Sequence, residues 1–67
     1  MDDTAVNAAI SRFLRSVSVS AQREIEKAVR KAAAAGKLKE GETLTVGVTL
    51  NNEQLVLDVT IFNKIEL

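Results

Sequence analysis

Apolar residues recur every third or fourth position in the first half of this chain and every second position in the second half. The change falls at Gly36. Before it, Val6, Ala9, Ile10, Phe13, Leu14 and Val17 form one stripe at helical spacing, and Ala21, Ile25, Ala28, Val29 and Ala32 form another. After Gly41, apolar and polar residues alternate from Leu44 to Leu50 and again from Leu55 to Ile61, the period of a pleated strand. The pattern predicts helices over 4–17 and 21–35, strands over 43–50 and 55–62, and a short tail over 63–67.

Local signals set these boundaries. Asp2, Asp3 or Thr4 is the cap of the first helix, and the two carboxylates suit its positive N-terminal end. The run Ser16-Val17-Ser18-Val19-Ser20 predicts a break, because serine hydroxyls bond nearby backbone and compete with helix continuation. Ser20 is then the N-cap of the second helix, and Gly36 is its stop. Glu26 and Arg30 stand in the favoured acid-to-base order, four residues apart. In the connector 37–41, Leu38 is expected to tuck against the helices. A loop of Asn51-Asn52-Glu53-Gln54 joins the strands.

Register follows from the same alternation. Pairing Leu50 with Leu55 also pairs Val48 with Leu57, Val46 with Val59, and Leu44 with Ile61, all on one face. The opposite face is mostly polar, with Asp58 beside Gly47, but it also carries Val56 and Phe62. The expected fold is α+β: an antiparallel helical hairpin packed on a two-stranded antiparallel β-hairpin, in the order α-α-β-β. Its core would be Val6, Ile10, Phe13, Leu14, Val17, Ile25, Val29, Leu38, Leu44, Val46, Val48, Leu55, Leu57, Val59 and Ile61.

Composition narrows the chemistry. The 67 residues allow one small domain, expected over 1–67, and include neither cysteine nor histidine, so disulfides and the commonest metal ligand and general base are missing. Of the staples that small folds use, self-association is the one left. Ser11, Ser16, Ser18 and Ser20 lack a histidine partner, and Glu40-Gly41-Glu42 is not a calcium loop. The glycines at 36, 41 and 47 are too scattered to cradle a phosphate. No catalytic, cofactor-binding or metal-binding residue is assigned, and the expected protein is not an enzyme. The acidic start at Asp2 and Asp3 lacks the basic character of a targeting peptide, and no apolar run reaches membrane-spanning length. A cytoplasmic protein is expected.

Net charge is zero, yet charge is segregated. Positions 12–39 carry eight basic and two acidic residues, a local +6, and the remainder carries −6. Arg23, Lys27, Arg30 and Lys31 form one stripe, a candidate polyanion-binding face. With the serine-rich break it has the cadence of a helix-turn-helix or winged-helix module, the alternative reading of function. Against this stand the flanking Glu24 and Glu26, the absent third helix, and the lack of tyrosine or tryptophan for base stacking. The leading expectation is a protein-interaction module that forms a homodimer. Its candidate self-association residues are Val56, Phe62, Ile65 and Leu67, the apolar residues left over by the packing scheme.

The segments Ile10-Ser11-Arg12-Phe13-Leu14, Gln22-Arg23-Glu24-Ile25-Glu26-Lys27-Ala28-Val29, Gly36-Lys37-Leu38-Lys39 and Glu42-Thr43-Leu44 resemble a small family of uncharacterised prokaryotic proteins of about this length. The resemblance implies a compact domain. It brings no established activity, cofactor or catalytic residue.

Overall fold

The computed structural model describes all residues from Met1 to Leu67. It contains one helix, α1 (Asp3–Ala34), followed by two strands, β1 (Thr43–Asn52) and β2 (Leu57–Glu66), which form a two-stranded antiparallel sheet. The fold is α+β in the order α-β-β. The chain divides into two compact units, Met1–Lys37 and Leu38–Leu67.

In the first unit, α1 runs without interruption through Ser16–Ser20, so the expected pair of helices is a single helix. Two physical facts account for this. Serine in a helix interior costs only a few tenths of a kcal/mol relative to alanine, and nothing between Asp3 and Ala34 is glycine or proline. The two stripes are also in phase. Val6, Ile10, Leu14, Val17, Ala21, Ile25, Ala28 and Ala32 follow intervals of four, four and three, an 11-residue repeat that averages about 3.67 residues per turn. One straight helix therefore carries one seam from end to end, and a break at Ser18 would discard that alignment. Ser20 lies inside the helix and caps nothing.

The ends of α1 match the sequence signals. The Thr4 amide donates to Asp2 Oδ1 at 2.9 Å and the Val6 amide to the Asp2 carbonyl at 3.0 Å, so Asp2 is the N-cap. At the other end Gly36 takes φ +73°. The Lys37 amide bonds the Ala32 carbonyl at 2.9 Å and the Gly36 amide bonds that of Ala33 at 3.0 Å. This is the Schellman arrangement, with Gly36 as the left-handed residue that stops the helix. The expected Glu26–Arg30 pair does not form. Glu26 Oε1 instead accepts from Gln22 Nε2 at 3.1 Å, and Lys27 Nζ lies 3.1 Å from Glu24 Oε2.

The second unit is a longer hairpin than expected, in a different register. Leu44 faces Ile65, Val46 faces Asn63, Val48 faces Ile61 and Leu50 faces Val59. The shift is four residues. Because it is even, every side chain that remains in the ladder stays on its expected face. The observed register pairs ten residues of each strand, from Thr43↔Glu66 to Asn52↔Leu57, where the expected one pairs eight. Residues 63–66 of the expected tail thereby join β2, and Asn51 and Asn52 join β1. The turn moves to Glu53–Val56. There the Val56 amide bonds the Glu53 carbonyl at 3.1 Å, and Asn52 Oδ1 accepts from the Leu55 amide at 2.9 Å. The shift moves Leu55 off the strand face into the turn and places Val56 at φ +50°, an uncommon conformation for a β-branched residue. Asp58 faces Asn51, and Phe62 takes the expected place of Asp58 opposite Gly47.

The connector ends in a turn of its own. The Glu42 amide bonds the Lys39 carbonyl at 3.3 Å, and Glu42 Oε2 accepts from the Lys39 amide at 3.3 Å. Gly41 is the third residue of this turn, with φ +83°. Its amide bonds the Leu67 carbonyl at 3.1 Å, and the Leu67 amide bonds the Glu42 carbonyl at 2.9 Å. Two residues, Gly41 and Glu42, thus oppose one, the arrangement of a G1 bulge with glycine at the left-handed position. The bulge ties the C-terminal residue to the strand's entry and fixes where the ladder begins.

No side chain is buried. None of the fifteen expected core positions forms a closed core. Val6, Val17, Ile25, Val29, Leu38, Leu44 and Val46 are half-buried, and the other eight are exposed. The reason lies in each unit. A lone helix and a two-stranded sheet each present an apolar face without a second layer inside the unit to cover it.

Candidate functional site

The features available for recognition are the seam of α1, its basic side, and the two faces and tip of the hairpin. Along the seam the composition is lopsided. The N-terminal half carries Val6, Ile10, Leu14 and Val17 with Phe13 beside them, and the C-terminal half carries Ala21, Ala28 and Ala32 around Ile25. Ile10, Phe13 and Leu14 are about half exposed. The large side chains of this stretch sit on a regular helix and face water.

Away from the seam lie Arg23, Lys27 and Arg30, with Lys31 near its border. This is the side that sequence spacing assigned to polyanions. Lys27 is engaged with Glu24 across one turn, while Arg23, Arg30 and Lys31 have no ion pair. The turn that a helix-turn-helix requires is absent, because α1 is continuous there.

The four candidate self-association residues do not form one patch. Phe62 lies on the polar face of β2 opposite Gly47, and Ile65 lies on the aliphatic face opposite Leu44. Leu67 follows β2 and is held by its backbone bonds to Gly41 and Glu42. Val56 sits in the turn at the other end of the hairpin and is 92% exposed. Beside it Leu55 is 72% exposed, so the tip presents two adjacent apolar side chains. Val56 also lines an open depression together with Asn51, Asn52, Glu53, Leu57 and Asp58.

The aliphatic face of the hairpin is the larger surface. It joins Leu44, Val46, Val48 and Leu50 to Leu57, Val59, Ile61 and Ile65, interrupted by Asn63, which bonds locally to the Lys64 amide. On the polar face, the Thr49 and Thr60 hydroxyls share a hydrogen bond at 3.0 Å. The seam and this face follow from period 3.6 and period 2. What periodicity overlooked is their continuity: the seam crosses Ser18, and the ladder reaches Glu66. For the seam the signal was present, as an unbroken 11-residue repeat; for the ladder it was masked, because Phe62 and Asn63 break the alternation between Ile61 and Ile65.

No three histidine, cysteine, aspartate or glutamate side chains come together as a metal site, and no helix is long and apolar enough to cross a membrane. Comparison of the chain with curated proteins and with solved structures gives no match. Comparison with family models gives one over residues 1–67, in agreement with the resemblance noted in the sequence: the chain belongs to a family of unknown function, DUF6494.

Proposed function

We propose that this protein is a small interaction module that works by self-association, as a homodimer. The observation that carries the reading is a mismatch of lengths. At 32 residues α1 is about 48 Å long, and ten-residue strands reach only about 34 Å. However the two units are arranged, the hairpin is too short to cover the whole helix. It is also only two strands wide, so a single layer leaves its second face open. An amphipathic helix owes most of its stability to packing of its apolar side. The remaining cover has to come from outside the chain, and a second copy is always available to supply it. Sedimentation of the full chain over a range of concentrations tests the proposal. A mass that rises to twice the chain mass supports it, and a monomer at the highest concentration overturns it.

A second reading rests on Arg23, Arg30 and Lys31, three cations without an acidic partner on one side of a regular helix. Such a stripe suits nucleic-acid phosphates. Binding through it would weaken steeply as salt rises, because each neutralised phosphate releases counterions. A gel shift across a salt series decides this reading independently of oligomeric state.

A further inference from the structure

We propose that the dimer forms along α1, with the two helices antiparallel and crossing near residue 19. The inference rests on the self-association reading and names the surface. It starts from the seam's asymmetry. A helix that is bulky in one half and alanine-lined in the other packs poorly against a parallel copy of itself. In parallel register, Ile10 would meet Ile10 and crowd the N-terminal half, and Ala28 would meet Ala28 and leave a gap. Reversing one helix about residue 19 pairs positions whose numbers sum to 38. Val6 then meets Ala32, Ile10 meets Ala28, and Val17 meets Ala21. Leu14 falls beside Ile25 at the same level to within one residue. Val6, Ile10 and Val17 each find an alanine, and Leu14 and Ile25 share the one level where two large side chains meet, which is how facing layers interdigitate without voids. The centre of the scheme also lies at the middle of α1, so the two helices overlap over their whole length.

Charge points the same way. Asp2 and Asp3 mark one end of α1, and Lys31 and Lys37 mark the other. Antiparallel pairing brings these ends together between copies, and the helix dipoles oppose favourably. Parallel pairing would stack lysine on lysine and aspartate on aspartate. The 11-residue period keeps the seam nearly straight along a regular helix and favours a slight right-handed wrap.

Spin-label distances test the geometry, and the chain offers a clean background because it has no cysteine. Ser11→Cys and Ser18→Cys, on the same flank of the seam, are labelled separately in the full chain. Ser18 lies close to the proposed axis, so its two labels are offset along the helix by about 3 Å, whereas those at Ser11 are offset by about 24 Å. A short distance at 18 and a clearly longer one at 11 is the expected result. Equal distances would indicate parallel helices, and long distances at both sites would put α1 outside the contact; either overturns the inference. A dimer in sedimentation accompanied by either pattern overturns the helix pairing alone, and a monomer overturns the self-association reading with it. Ala28→Leu provides the second test. It keeps a strong helix former but collides with Ile10 of the other copy, so dissociation should become at least tenfold easier with helix content unchanged. An unaltered dimer overturns the proposal.

Discussion

The ring of Phe62 lies across Gly47 on the neighbouring strand, with Cε1 2.8 Å from the position a Cβ at Gly47 would occupy. The two residues face each other in the ladder, and the ring is 68% exposed. A flat side chain thus covers a stretch of backbone that lacks one of its own, the aromatic rescue of a strand glycine. Gly47→Ala should destabilise the hairpin by about 1 kcal/mol, because the new methyl group forces the ring aside. With Phe62→Ala already present, the cost should shrink, because the methyl group then meets only Thr60 Cγ2, 3.2 Å away, and losing the glycine gains about 0.5–1 kcal/mol of unfolded-state entropy. A double-mutant cycle read by thermal unfolding at one fixed protein concentration measures this coupling. Additive effects would show that the contact has no energetic content.

Val56 is the strained point of the hairpin. Its φ of +50° places a β-branched side chain in the left-handed region, at a cost of about 1–2 kcal/mol. The side chain is almost wholly exposed, so its contacts do not offset that cost. Val56→Asn and Val56→Gly should each raise the unfolding free energy by about 0.5–1 kcal/mol, glycine gaining less because it releases more backbone entropy on unfolding. Denaturant titration measures both. An unchanged or lower midpoint would mean that Val56 contributes through a contact outside this chain.

Gly36 and Gly41 hold left-handed φ values of +73° and +83° with no atom within 4 Å of the position a Cβ would take. Any penalty for alanine is therefore a backbone penalty. Gly36→Ala and Gly41→Ala should each cost about 1 kcal/mol, the first by fraying the end of α1 and the second by loosening the bulge at Leu67. D-alanine at either site, introduced by chemical synthesis, should cost nothing or stabilise, because its preferred φ is positive. Circular dichroism resolves the first effect as lost helicity, whereas the second should leave helicity intact. Equal losses from the D and L forms would contradict the backbone explanation.

How far the fold can be read from residues varies along the chain. The helix boundaries at Asp2 and Gly36 depend on local chemistry, a carboxylate acceptor and a left-handed glycine, and both were legible. The faces of β1 and β2 were legible because an even shift in register leaves alternation intact. The register itself was not. Leu50 facing Leu55 and Leu50 facing Val59 are both apolar pairs, and what separates them is the length of the ladder, the Phe62–Gly47 fit and the closure at Leu67. These are non-local and leave little trace in any short window. The break at Ser16–Ser20 was misread because local serine preference was weighed without the seam's phase. Of the four basic residues expected on one stripe of α1, Arg23, Lys27 and Arg30 lie away from the seam and Lys31 lies near its border. The four leftover apolar residues were not one surface, since Phe62 and Ile65 fall on opposite faces of β2, Val56 lies in the turn and Leu67 follows the strand.

Ser20→Ala distinguishes a continuous helix from a broken one by the sign of a single measurement. Were Ser20 an N-cap, its hydroxyl would satisfy an orphan amide at the start of a second helix, and alanine would cost about 1 kcal/mol. In the interior of α1 the neighbouring amides are already bonded to carbonyls four residues back, so the hydroxyl has no such duty. Alanine then relieves the serine penalty and stabilises by a few tenths of a kcal/mol. The continuous helix predicts a slightly higher unfolding midpoint for Ser20→Ala and a slightly stronger helical signal at 222 nm. Ser18→Pro provides the opposite perturbation. It removes a hydrogen bond and clashes with the preceding turn, costing about 3 kcal/mol in a continuous helix but little in a loop. A gain from the first substitution with a large loss from the second fixes one helix through this region. A loss from Ser20→Ala with tolerance of proline would restore the break and remove the straight seam on which the antiparallel pairing depends.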